Sequence, residues 1–320
     1  MEHTRNTRRM TSLAKSILGA YLTAVILVVI GEFISPGFDN PGHIATLLVI
    51  SSLLGFVGIG QTLVVLTAGI DLSIPYVLNA GAVFLTGLHA SFPHATALVV
   101  LAVLALGFIV GAINGLGIAF VRIPPMIMTL GMNTVMEGVV LIYTNGTPTG
   151  SAPRFINWMV NGRVGVLPVD LLLWLVIAAL VTFTLSQTIF GRYVYAIGNS
   201  PIASYMSGLN VSRSLVLVYA LSGLFSALAG CLLVGFSGYS YLGMGDAYLL
   251  PSVAIVVIGG ASILGGRGNY IGSIAGAIVL TILGALLTIM NLPAAAQDIL
   301  YGVVILIALM LYGKQTRDRT

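Results

Sequence analysis

Asp71 is the ionisable residue in the most demanding surroundings, in Thr67-Ala68-Gly69-Ile70-Asp71-Leu72-Ser73-Ile74-Pro75, between two long apolar runs. A carboxylate near the membrane interior costs about 2.5 to 3.5 kcal/mol on insertion scales, so it is tolerated where it lines a cavity or finds donors. Gly69 and Pro75 on either side predict a broken helix, whose free amides could receive the Asp71 carboxylate or a solute hydroxyl. Two compatible readings follow: Asp71 and Ser73 line a transport path, or Asp71 only caps the next helix. Thr129, Asn133 and Glu137 recur every fourth residue and share one helix face. A path for a hydroxyl-rich solute needs such a stripe, because each lost water contact must be replaced. The alternative is that Glu137 sits near the outer interface and is simply solvated. His89 and His94 lack the further ligands of a zinc site. Cys231 stands alone in an apolar run and forms no internal disulfide. No nucleophile, base or metal cluster of an enzyme is present.

These residues must be positioned by membrane-spanning helices. Apolar residues make up 58% of the chain and charged ones 7%, too little charge to coat a water-exposed globule. The net charge of +4 is scattered between apolar runs, so it is no nucleic-acid signature. About ten spans are expected, at 17–34, 44–66, 73–91, 95–119, 125–144, 168–189, 214–235, 248–264, 270–290 and 295–312. With both termini cytoplasmic, eleven of the 13 Lys and Arg fall inside, leaving Arg154 and Arg163 outside. The whole chain, 1–320, is then one all-α polytopic domain with a cytoplasmic arm at 1–16 and a tail at 313–320. The first span has no cleavage site of a secretory signal and is taken as retained. The external loop from Asn145 to Pro168 is long enough to be functional, and Arg154 and Arg163 could meet carboxylates of a soluble partner or be ordinary solvated charges.

A polar island, Gly191 to Arg213, interrupts the apolar pattern and defines a cytoplasmic loop at 190–213. In it Asn199-Ser200-Pro201 is a helix-start signal with Ser200 as N-cap and Pro201 at the first position, and Gly208 stops the helix about two turns on. A second unusual region contains Gly259, Gly260, Gly265, Gly266 and Gly268. Glycines so dense within a span imply backbone that bends, packs closely or moves, and the Lys-Ser/Thr of a phosphate-binding loop is missing. Small residues in Gly111 to Gly117 and in Tyr219 to Gly230 predict close helix packing, with Asn114 as interhelical glue.

Gly198-Asn199-Ser200-Pro201-Ile202-Ala203 followed by Ser207-Gly208-Leu209-Asn210-Val211 resembles the coupling loop of ribose-type ABC importer permeases. The 67–75 stretch resembles the family's Gly-Gly-Ile-Asp-Leu-Ser-Val-Gly motif, with Ala68 for the first glycine and Ile74-Pro75 for Val-Gly. Arg122 to Gly131 is similar to its Ile-Pro-x-Phe-Ile-x-Thr-Leu-Gly segment, with Met126 for the aromatic, and Ile258 to Gly268 matches its glycine motif. Glu137 falls where the family commonly has arginine, and Tyr248-Leu249-Leu250-Pro251 where sugar permeases often have Glu-Leu-Asp-Ala.

The resemblance covers about 44 to 312 and implies a type II-like permease subunit of the bacterial inner membrane. It implies import of a small polar solute, a monosaccharide first, with a nucleoside or other polar metabolite as the alternative. In the family, the coupling loop seats in a separate ATP-hydrolysing subunit, which here places Gly198, Asn199, Ser200, Pro201, Ala203 and Gly208 at that contact. Asp71, Ser73, Thr129, Asn133, Glu137 and Tyr248 are then assigned to the solute path. ATP and magnesium belong to the partner, and this chain binds no cofactor. A soluble solute-binding protein outside and a second permease chain, identical or sister, complete the expected assembly. An ion-coupled secondary carrier using Asp71 and Glu137 is the rival from another class.

Overall fold

The computed structural model describes the backbone of residues 2–317 and the side chains of residues 17–306. The expected arm at 1–16 and tail at 313–320, with the basic side chains that orient the termini, lie outside the described side chains. The described chain is mostly helical: α1 (Glu2–Ile34), α2 (Pro41–Leu66), α3 (Ile74–Ser91), α4 (Thr96–Ala119), α5 (Pro125–Thr144), α6 (Arg154–Asn161), α7 (Val169–Gln187), α8 (Ile189–Asn199), α9 (Pro201–Met206), α10 (Val211–Ser237), α11 (Leu249–Ile258), α12 (Tyr270–Ile289) and α13 (Ala294–Arg317). Seven of the expected spans, in α1, α2, α4, α5, α7, α10 and α12, are helices long and apolar enough to cross a membrane.

Two expectations need correction. The span expected at 248–264 is helical only to Ile258, where α11 ends. Beyond it Gly260, Gly265, Gly266 and Gly268 all adopt positive φ, which no α-helix contains. The loop from Asn145 to Pro168 is ordered: it holds α6 and a two-stranded hairpin, β1 (Arg163–Val164) and β2 (Leu167–Pro168), turned at Gly165 (φ +63°).

At the centre lies α2, in which every residue from Ser51 to Leu66 is buried. A helix apolar on all sides has no face to give to lipid or water and is sheathed by others. Here α10, α12, α11 and α7 surround it, and α10 in turn packs on α4 and α3. The α4–α10 contact is a run of small residues four apart. Gly107, Gly111 and Gly115 of α4 lie directly on the α10 backbone at Gly223, Tyr219 and Val216. A Cβ on Gly111 or Gly223 would collide with a carbonyl oxygen of the opposite helix. Without apolar–water contrast in a bilayer, such close approach supplies the packing that holds helices together. Polar ties add register: Trp174 Nε1 donates to Tyr270 Oη (2.7 Å), which donates to the Gly55 carbonyl (2.7 Å), joining α7, α12 and α2.

Two substitutions test this packing in opposite directions. Gly223→Val should force α10 from α4 and lower stability by about 1 to 3 kcal/mol, read as an earlier thermal unfolding in detergent. Ala68, at φ +64°, closes α2 by donating to Val65 O (2.9 Å) while Gly69 donates to Val64 O (3.1 Å), an arrangement that favours glycine at residue 68. Ala68→Gly should therefore raise stability by about 1 kcal/mol in the same assay.

Candidate functional site

The break between α2 and α3 runs from Thr67 to Ser73 and places Asp71 in the interior, 1% exposed. Its Oδ1 accepts from the Ser73 amide (2.9 Å) and Ser73 Oγ (2.6 Å), and its Oδ2 accepts from Ser222 Oγ of α10 (2.7 Å). Hydrogen-bond donors offset part of what burial of a carboxylate costs. Asn114 of α4 donates Nδ2 to Ser73 Oγ (2.9 Å), and the Asp71 amide donates to Gln61 Oε1 of α2 (3.3 Å). Four elements, the break, α2, α4 and α10, are thus tied together around Asp71 and Ser73. Three fully buried atoms around it, Gln61 Nε2, Asn114 Oδ1 and Tyr219 Oη, have no hydrogen-bond partner among the described residues. Ser73 makes no side-chain cap to α3, and of α3's neighbourhood the carboxylate holds only the Ser73 amide and hydroxyl.

The stripe on α5 faces this break along its length. Thr129 Oγ1 accepts from the Leu72 amide (3.0 Å) and shares its proton between Pro125 O (2.9 Å) and Ile70 O (3.3 Å). Asn133 Oδ1 accepts from the Tyr76 amide (3.3 Å), one of the first-turn amides of α3 that no intrahelical carbonyl can reach. Glu137 Oε1 accepts from Tyr76 Oη (3.1 Å). The stripe therefore fixes the break and the start of α3 against α5. Only Glu137 and Asn133, both half-buried, keep atoms open toward the surface.

A carboxylate that sequence reasoning passed over joins them. Gly245 lies on the Pro75 backbone, where a Cβ would not fit, and this brings Asp246 within electrostatic range of Glu137 and Tyr76. Tyr248 is turned the other way: it packs on the hydrophobic core, within range of Tyr241 and Asp170. Asp170 is a further buried carboxylate, bonded through Oδ2 to Ser52 Oγ of α2. Its place two residues after Pro168, in the first turn of α7, was the available signal, and for Ser222 it was the three-residue spacing from Tyr219, one face of α10.

The second group lies at the far side of α8. Ser200 Oγ accepts from the Ala203 amide (3.2 Å), Pro201 opens α9, and Gly208 at φ +81° turns the chain toward α10. Of α9, Ser204 faces inward, while Ile202, Tyr205 and Met206 stand 75%, 72% and 81% exposed. Residues three and four apart share a helix face, so these three form one apolar tip that none of the described residues covers. Behind it, Gly198 and Asn199 at the end of α8 touch the glycine loop. A Cβ on Gly198 would strike the Leu66 carbonyl and the Gly266 amide, and one on Gly266 would lie 2.6 Å from Asn199. Gly259 packs on the α12 backbone at Gly272, and Gly268 against Ala261.

A profile of the family described as "Branched-chain amino acid transport system / permease component" matches residues 43–309. The ribose import permease protein RbsC of Bacillus subtilis (strain 168) is 34% identical over 302 residues, 93% of this chain and 93% of its own. Its counterpart in Escherichia coli (strain K12) is 33% identical over 302 residues, 92% of each chain. The fructose import permease protein FrcC of Rhizobium meliloti is 32% identical over 293 residues, 89% of this chain and 81% of its own. No solved structure matches the chain.

The Asp71 group predicts a graded loss of stability. Ser222→Ala removes one donor and should cost about 1.5 to 3 kcal/mol. Asp71→Leu strips the acceptor from Ser73 and Ser222 together and should cost more. Thermal unfolding of the purified variants orders them, and equal melting of Ser222→Ala and the parent would contradict the bond's weight.

Proposed function

The chain belongs to this family of transport-system permease components, and from that premise we propose that it is the membrane-spanning subunit of a binding-protein-dependent ABC importer for monosaccharides. The observation that carries the reading is the α9 tip. A capped helix projecting Ile202, Tyr205 and Met206 from a polytopic protein is built to be gripped by another subunit. That subunit supplies ATP hydrolysis, with its ATP and magnesium, and this chain supplies the path. The named solutes of its relatives, ribose and fructose among them, support a sugar as cargo.

In this reading the chain crosses the bacterial inner membrane about ten times, with both termini and α9 cytoplasmic. The additional crossings come from α3, from α13, and from α11 together with the glycine loop, which completes the crossing that α11 begins. A second permease chain lies across the solute path from the first. The outer ends of α6 and the β1–β2 hairpin receive the solute-binding protein. Asn133, Glu137, Tyr76 and Asp246 offer amide, carboxylate and phenol groups of the kind that replace water around sugar hydroxyls. ATP-driven closure of the paired ATPase subunits draws the α9 helices together and opens the path to the other side.

Purification of the chain from its native cell, with mass spectrometry of what accompanies it, tests the assembly. An ATPase subunit at about one copy per permease is expected. A chain that arrives alone and moves sugar in vesicles on an ion gradient would replace this reading with the carrier. At residue level, Ala203→Glu places a charge on exposed α9, and Gly208→Val puts a β-branched residue at φ +81°. Both variants should insert normally and lose most sugar-stimulated ATP hydrolysis, and normal hydrolysis in both would refute the role of α9.

A further inference from the structure

Two breaks in regular structure, distant in sequence, touch one another and the end of α8. The Gly266 amide donates to the carbonyl of Leu66, the last residue of α2 (2.9 Å). Gly198 lies against both groups so closely that no side chain would fit. Gly265 is as close to its neighbours: a Cβ there would lie 2.8 Å from the Ala68 amide nitrogen and 2.9 Å from the Gly198 carbonyl oxygen. Tyr195, one turn before Gly198, donates its hydroxyl to the Gly268 carbonyl (2.9 Å) and thereby holds the far end of the loop. Asn199 lies over Gly266 and donates Nδ2 to the Tyr195 carbonyl (2.7 Å). The contacts among Leu66, Gly198 and Gly266 are backbone to backbone, so they cannot yield by changing a rotamer, and the Tyr195 and Asn199 side chains tie the loop to α8 around them.

Three residues beyond Ala68 is Asp71. Its surroundings hold unpartnered polar atoms on α2, α4 and α10, so the present pairing leaves hydrogen-bonding capacity unused. A shift of the 67–73 segment by the length of one hydrogen bond would change which of them are paired. A segment with two alternative pairings would be the kind of element that coupling requires. On the other side, α8 leads through Ser200 straight into α9.

We propose that the junction of Leu66, Gly198 and Gly266, held by Tyr195, is the relay that carries a displacement of α9 into the Asp71 segment. Tyr195, Gly198 and Gly266 are positioning residues in this relay: they act through the 67–73 segment. The inference rests on the reading of α9 as the contact with the ATPase subunit.

The test is hydrogen exchange by mass spectrometry on the permease–ATPase complex, with and without ATP plus vanadate. The parent should show nucleotide-dependent changes both at residues 200–208 and at residues 67–73. Tyr195→Phe, which deletes one hydroxyl, should keep the response at 200–208 and lower that at 67–73 at least twofold. Gly266→Ala, which crowds Asn199 and strains φ +68°, should abolish the second response. Responses at 67–73 equal to the parent's in both variants would overturn the relay, as would a parent that responds at 200–208 alone. No response at 200–208 in the parent would instead remove the α9 reading and the relay with it.

Discussion

A backbone amide or carbonyl inside hydrocarbon has no water to turn to, so any departure from helix there must be stitched by protein. That constraint organises this chain. Its two interior breaks, 67–73 and 259–269, solve it largely with each other and with their nearest helices. The Leu72 amide goes to Thr129, the Tyr76 amide to Asn133, the Ser73 amide to Asp71, and the Gly266 amide to Leu66. Asp71 belongs to this accounting as much as to any solute path. A carboxylate accepts several hydrogen bonds at once, and two of its three donors, the amide and hydroxyl of Ser73, belong to the break itself, while the third is the α10 hydroxyl of Ser222.

Close approach is the condition that makes such stitching possible, and glycine supplies it. Gly107, Gly111 and Gly223 let α4 and α10 lie backbone to backbone, which brings Ser222 to the Asp71 carboxylate and Asn114 to the Ser73 hydroxyl that also bonds it. With bulkier residues the helices would stand farther apart and the hydroxyl and amide would no longer reach. Gly198, Gly259 and Gly266 serve the same purpose around the glycine loop. Packing and polar pairing are therefore one design: the first sets the distances that the second requires.

Most of this fold is legible in the sequence where a single local rule governs. Long apolar runs give α1, α2, α4, α5, α7, α10 and α12, and Ser200-Pro201 with Gly208 gives α9 its ends. The four-residue spacing of Thr129, Asn133 and Glu137 places all three on the face that meets the break. What is illegible depends on contacts between distant segments. Asp246 joins Glu137 because Gly245 rests on Pro75, a proximity that no spacing announces. Tyr195 reads as an ordinary aromatic until its hydroxyl is seen on Gly268. Tyr248 stands in a motif position yet turns to the core, since motif register fixes a residue's place in the chain and not its direction. The end of α11 at Ile258 was concealed by hydropathy, which runs on through the loop although the helix does not.

The distribution of rigidity gives these parts their order. α2, α4 and α10 form a tightly packed unit whose interior polar groups converge on Asp71, and the helices around it contribute mainly apolar surface. α9 by contrast is a short helix whose apolar face is uncovered among the described residues, joined to the unit through Gly198 and Leu66 on one side and through Gly208 to α10 on the other. A load applied at α9 cannot dissipate in side-chain rearrangement where Gly198 meets Leu66, because backbone meets backbone there. It can move α8 or α10 as a body, or bear on the segment between Leu66 and Ser73. The second route is open because that segment is tied by single hydrogen bonds, not by a helical ladder, and hydrogen bonds exchanged one for another cost little net free energy. The compliance that the relay requires is thereby placed in the stretch that carries the buried Asp71.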